Sequence, residues 1–170
     1  MRIVQFENRG KAPLTLKVEP FHDVYQVPPL GEAGIRFTLS EGVEDRSHTS
    51  VSEFDIAFWC DADSYEIDVV PPTPAETLYW TICVVGGWCG GIVENEPTHV
   101  EDLLPDAGEV TSRRFAELAV HADGWPADAA MPEKHLLWLE AKFVEIMGAQ
   151  VVEAAALQRR SRRPFDPEGA

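Results

Sequence analysis

The most chemically unusual stretch of the chain is Gly86-Gly87-Trp88-Cys89-Gly90-Gly91, which sets a thiol and a tryptophan among four glycines. Glycine admits positive φ angles and close backbone approach, so such a loop suits a bound ligand or an exposed nucleophile. A nucleophilic Cys89 needs a base, and His99 or His121 would have to reach it through the fold. No lysine, serine or threonine follows the glycines as a phosphate-cradling loop requires. The competing reading is a tight bend anchored by Trp88, and composition favours it. Downstream, Glu94, Glu96, Glu101 and Asp102 crowd around Pro97 and His99. Carboxylates so spaced can do acid–base work or hold a hard cation, and they also suit the positive end of a helix dipole. Trp88 with these four carboxylates is the expected binding surface; Cys89 with His99 is the alternative catalytic pair.

Other constellations fail on spacing. A copper site built on Cys60 needs histidine and methionine close behind it, and Asp61, Ala62 and Asp63 follow instead. His22 and His48 are too few, and too near turns, for a metal held between strands. Asp61-Ala62-Asp63-Ser64-Tyr65 begins like a calcium loop, but Glu66 stands where glycine is needed and Pro72 where the bidentate glutamate belongs. No metal and no cofactor is expected.

Charge narrows the partners. The 170 residues carry 29 acidic and 14 basic side chains, a net of −15. Four of the basic residues, Arg159, Arg160, Arg162 and Arg163, lie near the C-terminus, so the remainder is more acidic still. A body of that sign repels nucleic acid and anionic membrane and attracts a basic protein. The terminal arginines lack the interleaved aromatics of a nucleic-acid patch. No run approaches the roughly 20 apolar residues needed to span a bilayer. The opening Met1-Arg2-Ile3-Val4-Gln5-Phe6-Glu7 does not read as a secretory signal, so the cytosol is the expected compartment. Three cysteines, Cys60, Cys83 and Cys89, are then expected as reduced packing thiols.

The elements that must position these residues fall into two halves. Leu14, Leu16 and Val18, then Ile35, Phe37 and Leu39, then Phe54, Ile56 and Phe58, then Tyr65, Ile67 and Val69 each alternate with non-core positions. Two-residue alternation puts one apolar set on one face of a strand. With Val4 and Phe6, and Val24 to Val27, about six strands are expected, separated by turns such as Asn8-Arg9-Gly10 and Pro28-Pro29-Leu30-Gly31. The run from Phe6-Glu7-Asn8 through Leu14-Thr15-Leu16 to Tyr25-Gln26-Val27-Pro28-Pro29 resembles the strand and turn pattern of small bacterial β-sandwich domains. That resemblance implies a fold and no activity.

Pro71-Pro72-Thr73-Pro74 ends the strand series, because proline cannot donate to a sheet ladder. Thr73-Pro74-Ala75-Glu76 has the form of a capping box with proline at the first helical position. Leu78 to Val85 is nevertheless rich in strand formers, which leaves a strand joining the sheet as the alternative. Phe115, Leu118, Ala119 and Ala122 recur at helical spacing up to Asp123-Gly124; Leu136, Leu139, Phe143 and Ile146 do so from Pro132 to Gly148. The second helix is expected to continue through Val151 to Leu157.

The chain therefore reads as α+β. An antiparallel β-sandwich or small barrel over 1–72 precedes a helical domain of three to four helices over 73–158, packed on it, with a mobile Arg- and Pro-rich tail over 159–170. The expected function is non-enzymatic binding of a basic protein, as an immunity-type inhibitor does. The alternative is a small enzyme or ligand-binding protein using the loop around Cys89. The apolar helix face near Trp138 and Phe143 offers self-association as a third use.

Overall fold

The computed structural model describes residues 1–52, 55–126, 130–159 and 163–166. The expected core residue Phe54, together with Arg160 and Arg162, lies outside them. The fold is α+β, strands first and helices after, and the chain divides into two units: Met1–Pro72 with Ser161–Ala170, and Thr73–Arg160.

Seven strands build the first unit: β1 (Arg2–Glu7), β2 (Leu14–Glu19), β3 (Asp23–Val27), β4 (Glu32–Phe37), β5 (His48–Val51), β6 (Asp55–Trp59) and β7 (Tyr65–Val70). They form two sheets, one in the order β1-β4-β7 and the other β3-β2-β6-β5. The alternation read from the sequence has its cause here. Leu16 and Val18 of β2, Ile35 and Phe37 of β4, and Phe58 of β6 enter one shared apolar cluster with Val27, Ala33 and Cys60. Pairing is antiparallel throughout except between β2 and β6, which run parallel, with Leu16 opposite Ile56 and Val18 opposite Phe58. The all-antiparallel expectation is corrected by that pair, and the strand count by β5. β5 is exposed along its whole length, so it carries no apolar alternation to be read.

Buried Asn8 organises the first turn. Its side-chain amide donates to the carbonyls of Ala12 and Val27, both at 2.9 Å, while its side-chain oxygen accepts from the Gly10 N–H. A buried amide so fully partnered avoids the desolvation cost of an orphaned polar group.

Of the tail expected over 159–170, Arg163–Asp166 belongs to this unit and is seated on it, while 160–162 and 167–170 lie outside the described residues. The Phe165 N–H donates to the Asp68 carboxylate at 2.9 Å, and the Arg36 guanidinium lies 4.5 Å from the centroid of the Phe165 ring. Pro164 is buried. Gly34, in the middle of β4, leaves the space: a Cβ there would stand 2.5 Å from Pro164 Cβ and 3.0 Å from the Phe165 ring.

The second unit holds α1 (Pro74–Val84), the short strands β8 (Gly91–Val93), β9 (Glu96–Thr98) and β10 (Glu109–Thr111), then α2 (Ser112–Ala122), α3 (Glu133–Met147) and β11 (Val151–Glu153). Leu78 to Val84 is helical, and the capping box is present: Thr73 Oγ1 accepts from the Glu76 N–H while the Glu76 carboxylate accepts from the Thr73 N–H at 2.8 Å. Gly148 ends α3 in a left-handed conformation, φ 75°. The expected continuation of that helix through Leu157 is corrected. Val151–Glu153 pairs with β10, and Ala154–Leu157 forms one 3-10 turn. Phe115 of α2 sits between Tyr79 of α1 and Phe143 of α3, at centroid separations of 6.3 and 5.2 Å, in a core completed by Leu78, Ile82, Leu136 and Leu139. No helix among the described residues is long and apolar enough to cross a membrane.

Two outcomes follow for the strand unit. Gly34→Val is expected to cost about 1–3 kcal/mol in urea unfolding of the whole chain, and to cost much less in a chain truncated after Arg159, because the clash is with Pro164 and Phe165. Hydrogen bonds from Lys17 Nζ and Ser52 Oγ hold the Asp55 carboxyl below its usual range. The stabilisation this gives is present above the unfolded aspartate pKa and is lost as pH falls through the lower folded value. Carboxyl NMR should place the Asp55 midpoint low, and Lys17→Met should raise it.

Candidate functional site

The glycine-rich loop takes its shape from the way α1 stops. Beyond Cys83 the Val85 N–H still reaches the Thr81 carbonyl at 3.0 Å, the Gly87 N–H reaches Cys83 O at 2.9 Å, and the Trp88 N–H reaches Ile82 O at 2.9 Å. Gly87, with φ 80°, is the left-handed residue that such a reversal requires. The chain then doubles back beside the helix end, where Cys83 and Cys89 are joined in a disulfide. The expectation of three reduced cysteines is thereby corrected. Only Cys60 is free; it is buried in the strand unit, and burial pushes its thiol up.

Cys89, the nucleophile of the alternative catalytic reading, is thus an exposed half of a disulfide, and it becomes a thiolate only after reduction. His99 is beside it, but its ring touches the backbone: Nδ1–H donates to the Cys89 carbonyl at 2.7 Å. A carbonyl only accepts, which fixes the hydrogen on Nδ1. His121 is engaged elsewhere, donating from Nδ1 to Trp125 O at 3.1 Å. Gly90, at φ 102°, passes so close under this arrangement that a Cβ would lie 2.5 Å from Thr98 O and 2.7 Å from His99 Nδ1.

Trp88 is half-buried. It packs against the helical core and makes an edge contact with the His135 ring, centroids 5.1 Å apart. Gly86 lies against the Trp138 ring, where a Cβ would stand 2.6 Å away. Trp138 and Phe143, expected as a docking face, pack within the unit; Leu137 is the large apolar side chain that α3 shows to solvent. Two buried nitrogens nearby, His135 Nδ1 and Trp125 Nε1, have no hydrogen-bond partner among the described residues.

The four carboxylates divide into two pairs. Asp102 accepts from the His99 N–H at 2.7 Å, and Glu101 holds Arg159 at 2.9 Å, so both are engaged in local structure. Glu94 and Glu96 sit on the β8–β9 hairpin, whose two-residue turn Glu94-Asn95 has φ angles of 53° and 71°. Those signs match the mirror-image turn that suits strand twist. Both glutamates are exposed, neither has an ion-pair partner among the described residues, and Ile92 between them and the loop is 62 % exposed.

Elsewhere in the unit four of the described cations are paired, and exposed Lys134 on α3 is not. Arg113 forks onto Glu133 and also reaches Glu140, all at 2.9 Å, and those carboxylates push its guanidinium up; Arg114 neighbours Glu117, and Lys142 holds Glu145. Glu109 and Glu153 face each other directly across β10 and β11, an arrangement of like charges that costs stability. Among the described residues no group of three or more His, Cys, Asp or Glu side chains could hold a metal ion.

No family model matches the chain, and no curated protein or solved structure matches it.

The geometry of the loop yields a direct contrast. Gly90→Ala is expected to cost about 1–3 kcal/mol in urea unfolding, because the added carbon meets both a positive φ and the Thr98 carbonyl. Gly87→Ala, with nothing within 4 Å of its Cβ, should cost only about 1 kcal/mol.

Proposed function

We propose that the chain is a non-catalytic, acidic protein-binding module whose partner is a basic protein, an immunity-type inhibitor being the closest functional model. The observation that carries this reading is the division of charge in the helical unit. Arg113, Arg114, Lys142 and Arg159 are each drawn into intramolecular ion pairs, which leaves Lys134 as the unit's unpaired cation among the described residues, while Glu94 and Glu96 stand exposed on a hairpin tip beside exposed Ile92. Unmatched carboxylates around an exposed apolar side chain make a surface complementary to a lysine- or arginine-rich face. The opposed Glu109 and Glu153 belong to the same acidic field, and an approaching cation would relieve their repulsion.

The strand unit is, in this reading, a rigid carrier. The shared cluster of Leu16, Val18, Ile35, Phe37 and Phe58, drawn from both sheets, supports reading them as the two layers of a sandwich. A catalytic role for the loop is less well supported, since His99 binds a backbone carbonyl and Cys89 is tied in a disulfide.

The full chain, immobilised and exposed to an extract of its source cells, is expected to retain basic proteins that elute as salt rises. Replacing Glu94 and Glu96 together by lysine should slow association of the retained protein roughly tenfold at low salt while leaving circular dichroism unchanged. Retention indifferent to both salt and charge reversal, or no basic protein retained, would remove the proposal.

A further inference from the structure

We infer that Cys83 and Cys89 form a reversible thiol–disulfide exchange site, open to attack by an external thiolate at the exposed sulfur of Cys89. The inference does not depend on the binding role above.

Three observations bear on it. The first is unequal access: Cys89 lies on the exposed loop, whereas Cys83 is half-buried in the last turn of α1. An incoming thiolate therefore meets Cys89 Sγ, and Cys83 Sγ is the leaving group. The second is that the sulfurs are held together by more than their own bond. Gly87 N–H on Cys83 O, Trp88 N–H on Ile82 O, His99 Nδ1–H on Cys89 O and the Trp88 ring against His135 all hold the loop without involving either sulfur. The dithiol thus stays poised to close again, an intramolecular step with a high effective concentration. The third is the sequence separation of six: closing so short a loop removes less freedom from the unfolded chain than closing a long one, so the bond stabilises at the lower end of what disulfides contribute.

The exchange balances as follows. A thiolate RS⁻ attacks Cys89 Sγ, forming an RS–SCys89 mixed disulfide and releasing Cys83 as thiolate, which takes a proton from water. A second RS⁻ attacks the R-bearing sulfur, giving RSSR and the Cys89 thiolate, which is protonated in turn. The protein gains two electrons and two protons, and two thiols become one external disulfide. Reversal by RSSR restores the bond. Cys60, buried and 3 % exposed, takes no part.

The full chain would be equilibrated in glutathione buffers running from oxidised to reduced, quenched by alkylation and weighed intact, with helical circular dichroism recorded alongside. The expected result is a doubly alkylated species that rises through the series, falls on reversal, and keeps its helical signal. In a parallel arm, thioredoxin with its reductase and NADPH replaces glutathione; faster opening there identifies a protein dithiol as the donor, and faster opening by glutathione a small thiol. Cys83→Ser should be glutathionylated at Cys89 by oxidised glutathione, with release of one reduced glutathione, about tenfold faster than Cys89→Ser is at Cys83, in line with access. A bond that resists both donors until denaturant is added, a helical signal lost on reduction, or equal capture by the two variants would each overturn the inference.

Discussion

The helical unit depends on the Phe115 ring. Fully buried, it touches Tyr79 of α1 on one side and Phe143 of α3 on the other, so one aromatic stack fixes all three helices. Buried aromatics of this size contribute several kcal/mol each, more than any surface ion pair in the unit. The Tyr79 hydroxyl extends the stack into polar structure by donating to the Leu157 carbonyl, and burial pushes that phenol up. Where α1 ends is therefore set by packing, and the loop that follows inherits its position. The disulfide, the His99 contact and the exposed hairpin all descend from that one placement.

Much of this architecture was legible in the chain because half-buried elements write their period into the sequence. Leu14-Thr15-Leu16-Lys17-Val18 reads as a strand since only one face meets the core. Thr73, Glu76 and Gly148 were legible because capping chemistry admits few residue types. β5 left no such trace, being exposed on both faces, and β8 to β11 are too short to show a period. The parallel β2–β6 pairing depends on contacts between distant segments, on which local pattern is silent. The Cys83–Cys89 bond was hidden by an odd cysteine count, and its geometry comes from a helix end whose position the sequence leaves loose. In the candidate site, composition singles out the glycine-rich loop, but what its neighbours touch is decided by tertiary packing: Trp88 packs on the core, and Glu101 and Asp102 are engaged with Arg159 and the His99 N–H.

The charge of the molecule is not spread evenly in its effect. In the helical unit, Arg113 alone gathers Glu133 and Glu140, so an exposed run of acid is locally quiet there. The hairpin of Glu94 and Glu96 has no such counterweight among the described residues. A net charge describes solubility; where it goes unanswered decides what can approach.

Pro164 and Phe165, lying over Gly34, give the strand unit a covalent topology with consequences during synthesis. All seven strands leave the ribosome before the helical unit, and the segment that covers β4 follows only after it. Until that segment arrives the Gly34 furrow has no Pro164 or Phe165 over it, a notch on a central strand between Gln5 of β1 and Asp68 of β7. The helical unit is also tethered at both of its ends to the same strand body. A single cut between Pro72 and Thr73 therefore severs the backbone of the strands from the rest, and the seating of Pro164 and Phe165 against Gly34 is the tie that remains.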